Sequence, residues 1–174
     1  MPRLRSSGLV VFGTLMGWML PLQAEIDDEG NVKPWIEQEV RFPNFPKATN
    51  LLPFFVSAAT DNRFFVDSDS VSVGADGVVR YTLVVETAGG ARNVSFEGMR
   101  CVTKEFLRYA FGRADGAWSR AKTSQWERVQ EASGNRHHAA LFQDYFCPGG
   151  VVVNTAAEAI AALKRGDPPS FYRY

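Results

Sequence analysis

The chain carries two histidines, adjacent at His137 and His138, so any histidine-based acid–base or metal chemistry must start there. Neighbouring residues on a helix point about 100° apart, which suits neither a shared metal ion nor a common substrate. Metal-binding histidines on a helix recur at a spacing of three or four, as in H-E-x-x-H, and no such partner follows. Asp144 lies too far along to complete a local set. The expectation is one exposed histidine and one that packs or hydrogen-bonds near a helix start. The catalytic alternative is a small hydrolase using His137 or His138 with a nearby acid.

Other catalytic signatures are missing from the sequence. There is no G-x-S-x-G nucleophile turn, no G-x-x-x-x-G-K-[ST] and no G-x-G-x-x-G. Neither a cofactor nor a metal is expected. Two polar clusters remain as a candidate site with the histidines: Asp61, Asn62 and Arg63 in one loop, and Arg113 with Asp115 at a hairpin tip. Asp and Asn in loops ordinarily organise turns by bonding nearby backbone. The functional alternative is a small polar pocket rimmed by Phe64, Phe65, Trp118 and Trp126.

The two cysteines, Cys101 and Cys147, lie 46 positions apart with no C-x-x-C, which argues against zinc binding and against a redox motif. Their meaning depends on the N-terminus. Arg3 and Arg5 precede an uncharged apolar run from Gly8 to Leu22, and Ala24 stands before the acidic stretch Glu25–Glu29. That is the layout of a secretory signal peptide over residues 1–24. A membrane span takes about 20 apolar residues, and this run is shorter and contains Pro21. Arg3 and Arg5 are not consecutive, so the leader is not of the twin-arginine type, and no cysteine before Cys101 offers a lipid anchor. In an oxidising compartment the two thiols have one intramolecular pairing, Cys101–Cys147. A loop of that length stabilises by roughly 4 kcal/mol in the chain-entropy model.

The full chain of 174 residues balances 19 basic against 19 acidic residues. Removing the leader leaves 150 residues at a net charge of −2. Neither figure suits a nucleic-acid binder, which would show a basic excess. With 45 % hydrophobic and 22 % charged residues the composition is that of one ordinary globular domain. Residues 25–34 read as a flexible acidic arm, 35–166 as a single α+β domain, and 167–174 as a loosely held tail.

The elements that must position these residues follow from periodicity. Ile36, Val40 and Phe42 alternate with charged residues, predicting a strand over Trp35–Phe42 that Pro43 closes. Leu51–Val56 and Arg63–Val66 read as strands joined by a polar loop. Ser70–Val73 and Val78–Thr87 flank Gly74-Ala75-Asp76-Gly77, whose Asp-Gly supplies the positive φ of a hairpin. In the longer strand Val79, Tyr81, Leu83 and Val85 share one face. Arg80, Thr82 and Glu86 take the other, predicting a sheet with one wet side. Arg92–Val102 switches its apolar face around Gly98, where a bulge is expected. Lys104–Phe111 and a second Ala-Asp-Gly turn at 114–116 complete an antiparallel sheet of roughly five to seven strands.

Helical spacing follows, with Ala139, Phe142 and Phe146 ahead of Pro148-Gly149-Gly150. A second helix runs from Ala156 to Arg165, with a capping box at Thr155 and Glu158 and a stop at Gly166. Strands first and helices last predict an α+β fold. Two C-terminal helices should pack on the sheet, with the disulfide pinning the end of the first helix to it.

Several longer segments carry a resemblance: Val56-Ser57-Ala58-Ala59-Thr60-Asp61-Asn62-Arg63-Phe64-Phe65-Val66-Asp67, Tyr109-Ala110-Phe111-Gly112-Arg113-Ala114-Asp115-Gly116-Ala117-Trp118-Ser119, Arg136-His137-His138-Ala139-Ala140-Leu141 and Asp144-Tyr145-Phe146-Cys147-Pro148. Over most of residues 33 to 165 the chain resembles the cryptic neisserial protein family of exported proteobacterial proteins. The resemblance implies a periplasmic setting and lends no catalytic residue. Some members look like lipoproteins, whereas this sequence lacks the lipidated cysteine. The expectation is a non-catalytic binding or interaction module of the bacterial envelope. Its partner would be an envelope protein or a small ligand, with no nucleic acid and no stable insertion of the mature chain into a membrane. A carrier holding a ligand between sheet and helices is a further alternative.

Overall fold

The computed structural model describes residues 25–26, 32–131 and 136–166. The leader expected over 1–24 and the tail expected over 167–174 lie outside the described residues. The chain divides into two units, residues 1–35 and 36–174. In the first, β1 (Glu25–Ile26) pairs antiparallel with β2 (Val32–Lys33) inside the segment expected as an arm.

The second unit is built on an antiparallel meander. Its strands are β3 (Leu51–Pro53), β4 (Arg63–Val73), β5 (Val78–Glu86), β6 (Arg92–Arg100), β7 (Glu105–Gly112) and β8 (Trp118–Arg120), in that spatial order. A further strand, β9 (Glu127–Arg128), pairs with β7 beside β8: β8 takes Ala110–Gly112 and β9 takes Glu105 and Phe106. The expected antiparallel sheet followed by two helices is therefore the fold.

One turn chemistry repeats along the meander. In Gly74–Gly77, Thr87–Gly90 and Arg113–Gly116 the fourth residue donates its N–H to the first carbonyl at 2.9–3.0 Å. In each, that residue is a glycine at φ +73, +83 or +79. A β-carbon would oppose this left-handed conformation. The β6–β7 turn, Cys101–Lys104, makes the same bond at 3.1 Å with Lys104 at φ +54.

Four strand expectations are corrected. Residues 36–42 form no ladder; their polar groups bond to side chains instead, Gln38 N–H to Asp76 Oδ2 at 2.9 Å and Glu37 to the Tyr109 hydroxyl at 2.6 Å. The runs at 63–66 and 70–73 are one strand, irregular between Asp67 and Ser72. There the Ser70 hydroxyl accepts Thr82 N–H at 2.8 Å and donates to the Asp67 carbonyl at 2.7 Å, substituting for the ladder. The register shift of β6 against β7 falls between Phe96 and Glu97, and the unpaired residue is Tyr109 on β7. Gly98 is regularly paired and leaves room for the Tyr109 ring, which a β-carbon there would strike.

The fourth correction concerns the face expected to be wet. Arg80 and Thr82 are buried. Val40 and Phe42 pack with Phe96, Leu107, Tyr109 and Ala110 on that side, and the Trp118 indole donates to the Pro43 carbonyl at 2.8 Å. Arg80 reaches both oxygens of Asp76, at 3.1 and 2.6 Å, so its charge is matched under the cover.

Helices cover the opposite face. α1 (Arg136–Ala140) runs into a π-helical turn, Leu141–Phe146, closed by Cys147 N–H on the Phe142 carbonyl at 3.0 Å. The expected single helix is thus widened, which turns Leu141, Phe142, Tyr145 and Phe146 all inward. α2 (Ala156–Arg165) buries Ala159, Ala162 and Leu163, a spacing of three and four. Thr155 caps it by accepting Glu158 N–H at 3.1 Å, and Gly166 ends it at φ +71. The capping box is displaced by one residue, since Glu158 accepts from Asn154 N–H at 2.8 Å. Phe106, Phe146, Tyr81, Tyr145 and Leu141, each at most 1 % exposed, fill the space between sheet and helices. Cys101 and Cys147 are joined there as a disulfide.

Candidate functional site

The register of three strands builds a polar cluster inside this core. Tyr81 on β5 pairs with Glu97 on β6, and Glu97 pairs with Arg108 on β7, so all three project from the helix-covered face. Ser95, two residues before Glu97, shares that face. α1 lies over them and lowers His138 onto Glu97, Nε2 to Oε2 at 2.7 Å. The same oxygen accepts the Tyr81 hydroxyl at 3.1 Å, while Oε1 accepts Ser95 Oγ at 2.7 Å and faces Arg108 Nε at 3.6 Å. Phe106 stacks on the His138 ring with centroids 3.7 Å apart.

Electrostatics follow from this packing. Burial alone would push the Glu97 carboxyl up. Attraction to His138, bonds from His138 and Ser95, and the Arg108 charge outweigh burial and hold it at about 2. Burial and the neighbouring Glu97 charge push Tyr81 well above the usual phenol range. His137 stacks on Phe64 with centroids 5.5 Å apart and touches the His138 ring at 4.1 Å. Burial, with the adjacent His138, pulls it down to about 4.

A carboxylate orienting an imidazole is half of a general-base assembly; the other half is a free ring nitrogen that substrate can reach. Here His138 is 0 % exposed and Glu97 1 %. His138 Nδ1 has no hydrogen-bond partner and no access to solvent. The arrangement fixes where α1 sits on the sheet and keeps a charge in the core.

The expected site residues fall into separate groups. Asn62 Oδ1 accepts Ala88 N–H at 3.2 Å and so braces the β5–β6 turn. Arg63 pairs with Glu86 at 2.6 Å on the surface. Arg113 pairs with Asp115 at 2.6 Å, and Asp115 also accepts Ala117 N–H at 3.0 Å. Asp61 is exposed. The meander brings the start of β4, the 87–90 turn, the 113–116 turn and Arg136, bonded to Ser57 at 3.2 Å, to one end of the sheet. Among the described residues no hydrogen bond or ion pair joins the 61–63 group, the 113–115 pair and the histidines to one another.

His138 is packed and bonded as expected, whereas His137 is half-buried against Phe64 rather than exposed. Glu97 was missing from the sequence reading. Its signal was a carboxylate alternating with Met99 and Cys101 on an apolar face. Among the described residues no three His, Cys, Asp or Glu side chains gather as metal ligands, and no helix is long and apolar enough to cross a membrane.

A family model described as the CNP1-like family matches residues 30–164. Neither a search of curated proteins nor one of solved structures finds a match. With most of its length matched by that model, the chain belongs to the CNP1-like family.

Proposed function

We propose that the protein is an exported, non-catalytic binding module of the bacterial cell envelope, engaging a partner through the end of the sheet that carries residues 54–63, 87–90 and 113–116. The observation that carries this reading is the sealing of Glu97 and His138, which withdraws the chain's best acid–base pair from any substrate. Export is supported by the signal-peptide pattern at the N-terminus and by the Cys101–Cys147 disulfide. Partner binding is supported by two large apolar side chains left half-exposed near that end, Phe55 at 48 % and Phe111 at 48 %, among the paired charges of Arg63, Arg113 and Asp115.

Photo-cross-linking in the native envelope tests it. A photoreactive residue at Phe55 or Phe111 should give a discrete adduct. The same residue at Val102, 62 % exposed in the turn at the opposite end, should give none. Adducts from Val102 alone, or from no position, would remove the proposed surface. A hydrolase role would return if His138→Gln abolished the cellular phenotype while the protein remained folded.

A further inference from the structure

The other face of the sheet holds a cavity of about 60 Å³ between β4 and the segment 43–50, walled by Asp67, Asp69, Asn44, Asn50 and Lys47 among others. It arises where β4 is irregular, so the carboxylates of Asp67 and Asp69 both come to it from one strand. Asp69 accepts a bond from Asn50 Nδ2 at 2.6 Å. Asp67 is 2 % exposed, and its Oδ1 has no hydrogen-bond partner. Its cross-strand neighbour on β5, Thr82, is fully buried and also has an unpartnered oxygen, Oγ1.

Two orphaned oxygens in register, that of Asp67 on the cavity wall, are costly. A buried polar atom without a partner loses about 1–3 kcal/mol, more when it is charged. Asp67 is buried and Asp69 stands two residues along the same strand, so two carboxylates crowd one cavity. A cation placed beside Asp67 and Asp69 would relieve both the desolvation and the repulsion. Lys47 is exposed and, among the described residues, forms no ion pair with either carboxylate. The oxygen donors on its wall are those of carboxylates and amides, with no sulfur or imidazole, the set a hard cation selects. The space exceeds the roughly 10–15 Å³ that one water needs, leaving room for an ion with a water.

We propose that this cavity is a binding site for a hard divalent cation of the calcium class, held by the carboxylates of Asp67 and Asp69. The site lies on β4 and the 43–50 segment, and it stands or falls independently of the partner surface proposed above.

Calorimetric titration of the chelator-treated mature protein with calcium chloride, with melting curves in parallel, tests it. One equivalent should bind with a Kd of roughly 10⁻⁴ to 10⁻³ M, the range of extracellular calcium modules. The melting temperature should rise with calcium and not with sodium chloride of equal ionic strength. Asp67→Asn and Asp69→Asn should each weaken binding about tenfold or more. Asp67→Asn should melt in chelator at or above the wild-type temperature, because it removes an unpaired charge. If Asp67→Asn does not fold, Asp69→Asn, a surface change, decides. No binding heat and no melting shift up to about 10 mM calcium would overturn the site. So would a calcium response unchanged in a folded Asp67→Asn or Asp69→Asn variant.

Discussion

Glu97 and His138 meet at 2.7 Å in a place where neither touches water, so each is the other's polar partner in the core. Removing one member of a buried pair strands its partner and costs roughly 3–5 kcal/mol, whereas replacing both by apolar groups is often near neutral. Glu97→Ala should lose stability on that scale in urea melts. Glu97→Met with His138→Phe together should recover most of it; a double variant as weak as the sum of its singles would refute the pairing. Titration at this cluster has two windows, with the same sign. His137 is held at about 4, below its unfolded 6.5, so between those values the unfolded chain binds a proton that the folded chain refuses. Stability therefore falls as pH drops from 6.5 toward 4. Glu97, held at about 2 against 4.5, contributes stability above 4.5 that is lost as pH falls from 4.5 toward 2. Between pH 7 and 4.5 the His137 effect should dominate, on the order of 2 kcal/mol. His137→Phe, which keeps a ring against Phe64, should flatten the loss of melting temperature across that interval.

At the scale of elements, the turns were the most legible part of the fold because their requirement is local. Asp-Gly and Gly-Gly at a fixed place name the residue that takes positive φ, and Gly77, Gly90 and Gly116 take it. The β6–β7 turn escaped because Lys104 fills that place. A residue with a β-carbon in that region costs about 1–2 kcal/mol. Lys104→Gly should accordingly stabilise by up to about 1 kcal/mol, less whatever is lost with the ammonium 5.6 Å from the Phe142 ring. Gly77→Ala should cost about 1–2 kcal/mol from backbone alone, since nothing lies within 4 Å of the added carbon. Urea denaturation of the two variants should move the midpoint in opposite directions. Strand faces were legible only in part. Alternation showed that Arg80 and Thr82 oppose Val79 and Tyr81, but not that Val40 and Phe42 would pack on Phe96 and its neighbours on that face. Covering segments make side-chain contacts with no period of their own, so residues 36–42 resembled a strand while forming no ladder.

For the whole molecule, the same limit explains the candidate site. Glu97 went unread on its apolar face because its partner lies 41 residues on, and only tertiary packing says which strand α1 crosses. The cysteines were legible because elimination left a single pairing, and the bond they make ties together what neither pattern could join. It links the β6–β7 turn to the end of the π-helical turn, across 46 residues. Closing a loop of that length removes unfolded-state freedom of roughly 4 kcal/mol. Cys101→Ala with Cys147→Ala should lower stability by about that amount, and reduction of the native protein should do the same. The two need not agree, because alanine removes sulfur from a packed site while reduction keeps it. A larger loss in the double variant would measure the packing share. The bond also makes export testable without a partner. Protein made with residues 1–24, the expected leader, and recovered from the periplasm should have a mass two hydrogens below its reduced form. Protein made without residues 1–24 and kept in the cytosol should carry both thiols and melt lower until oxidised. If the periplasmic protein carried two free thiols, the oxidising compartment would no longer be the reason these cysteines pair, and the proposal of export would rest on the sequence pattern of residues 1–24 alone.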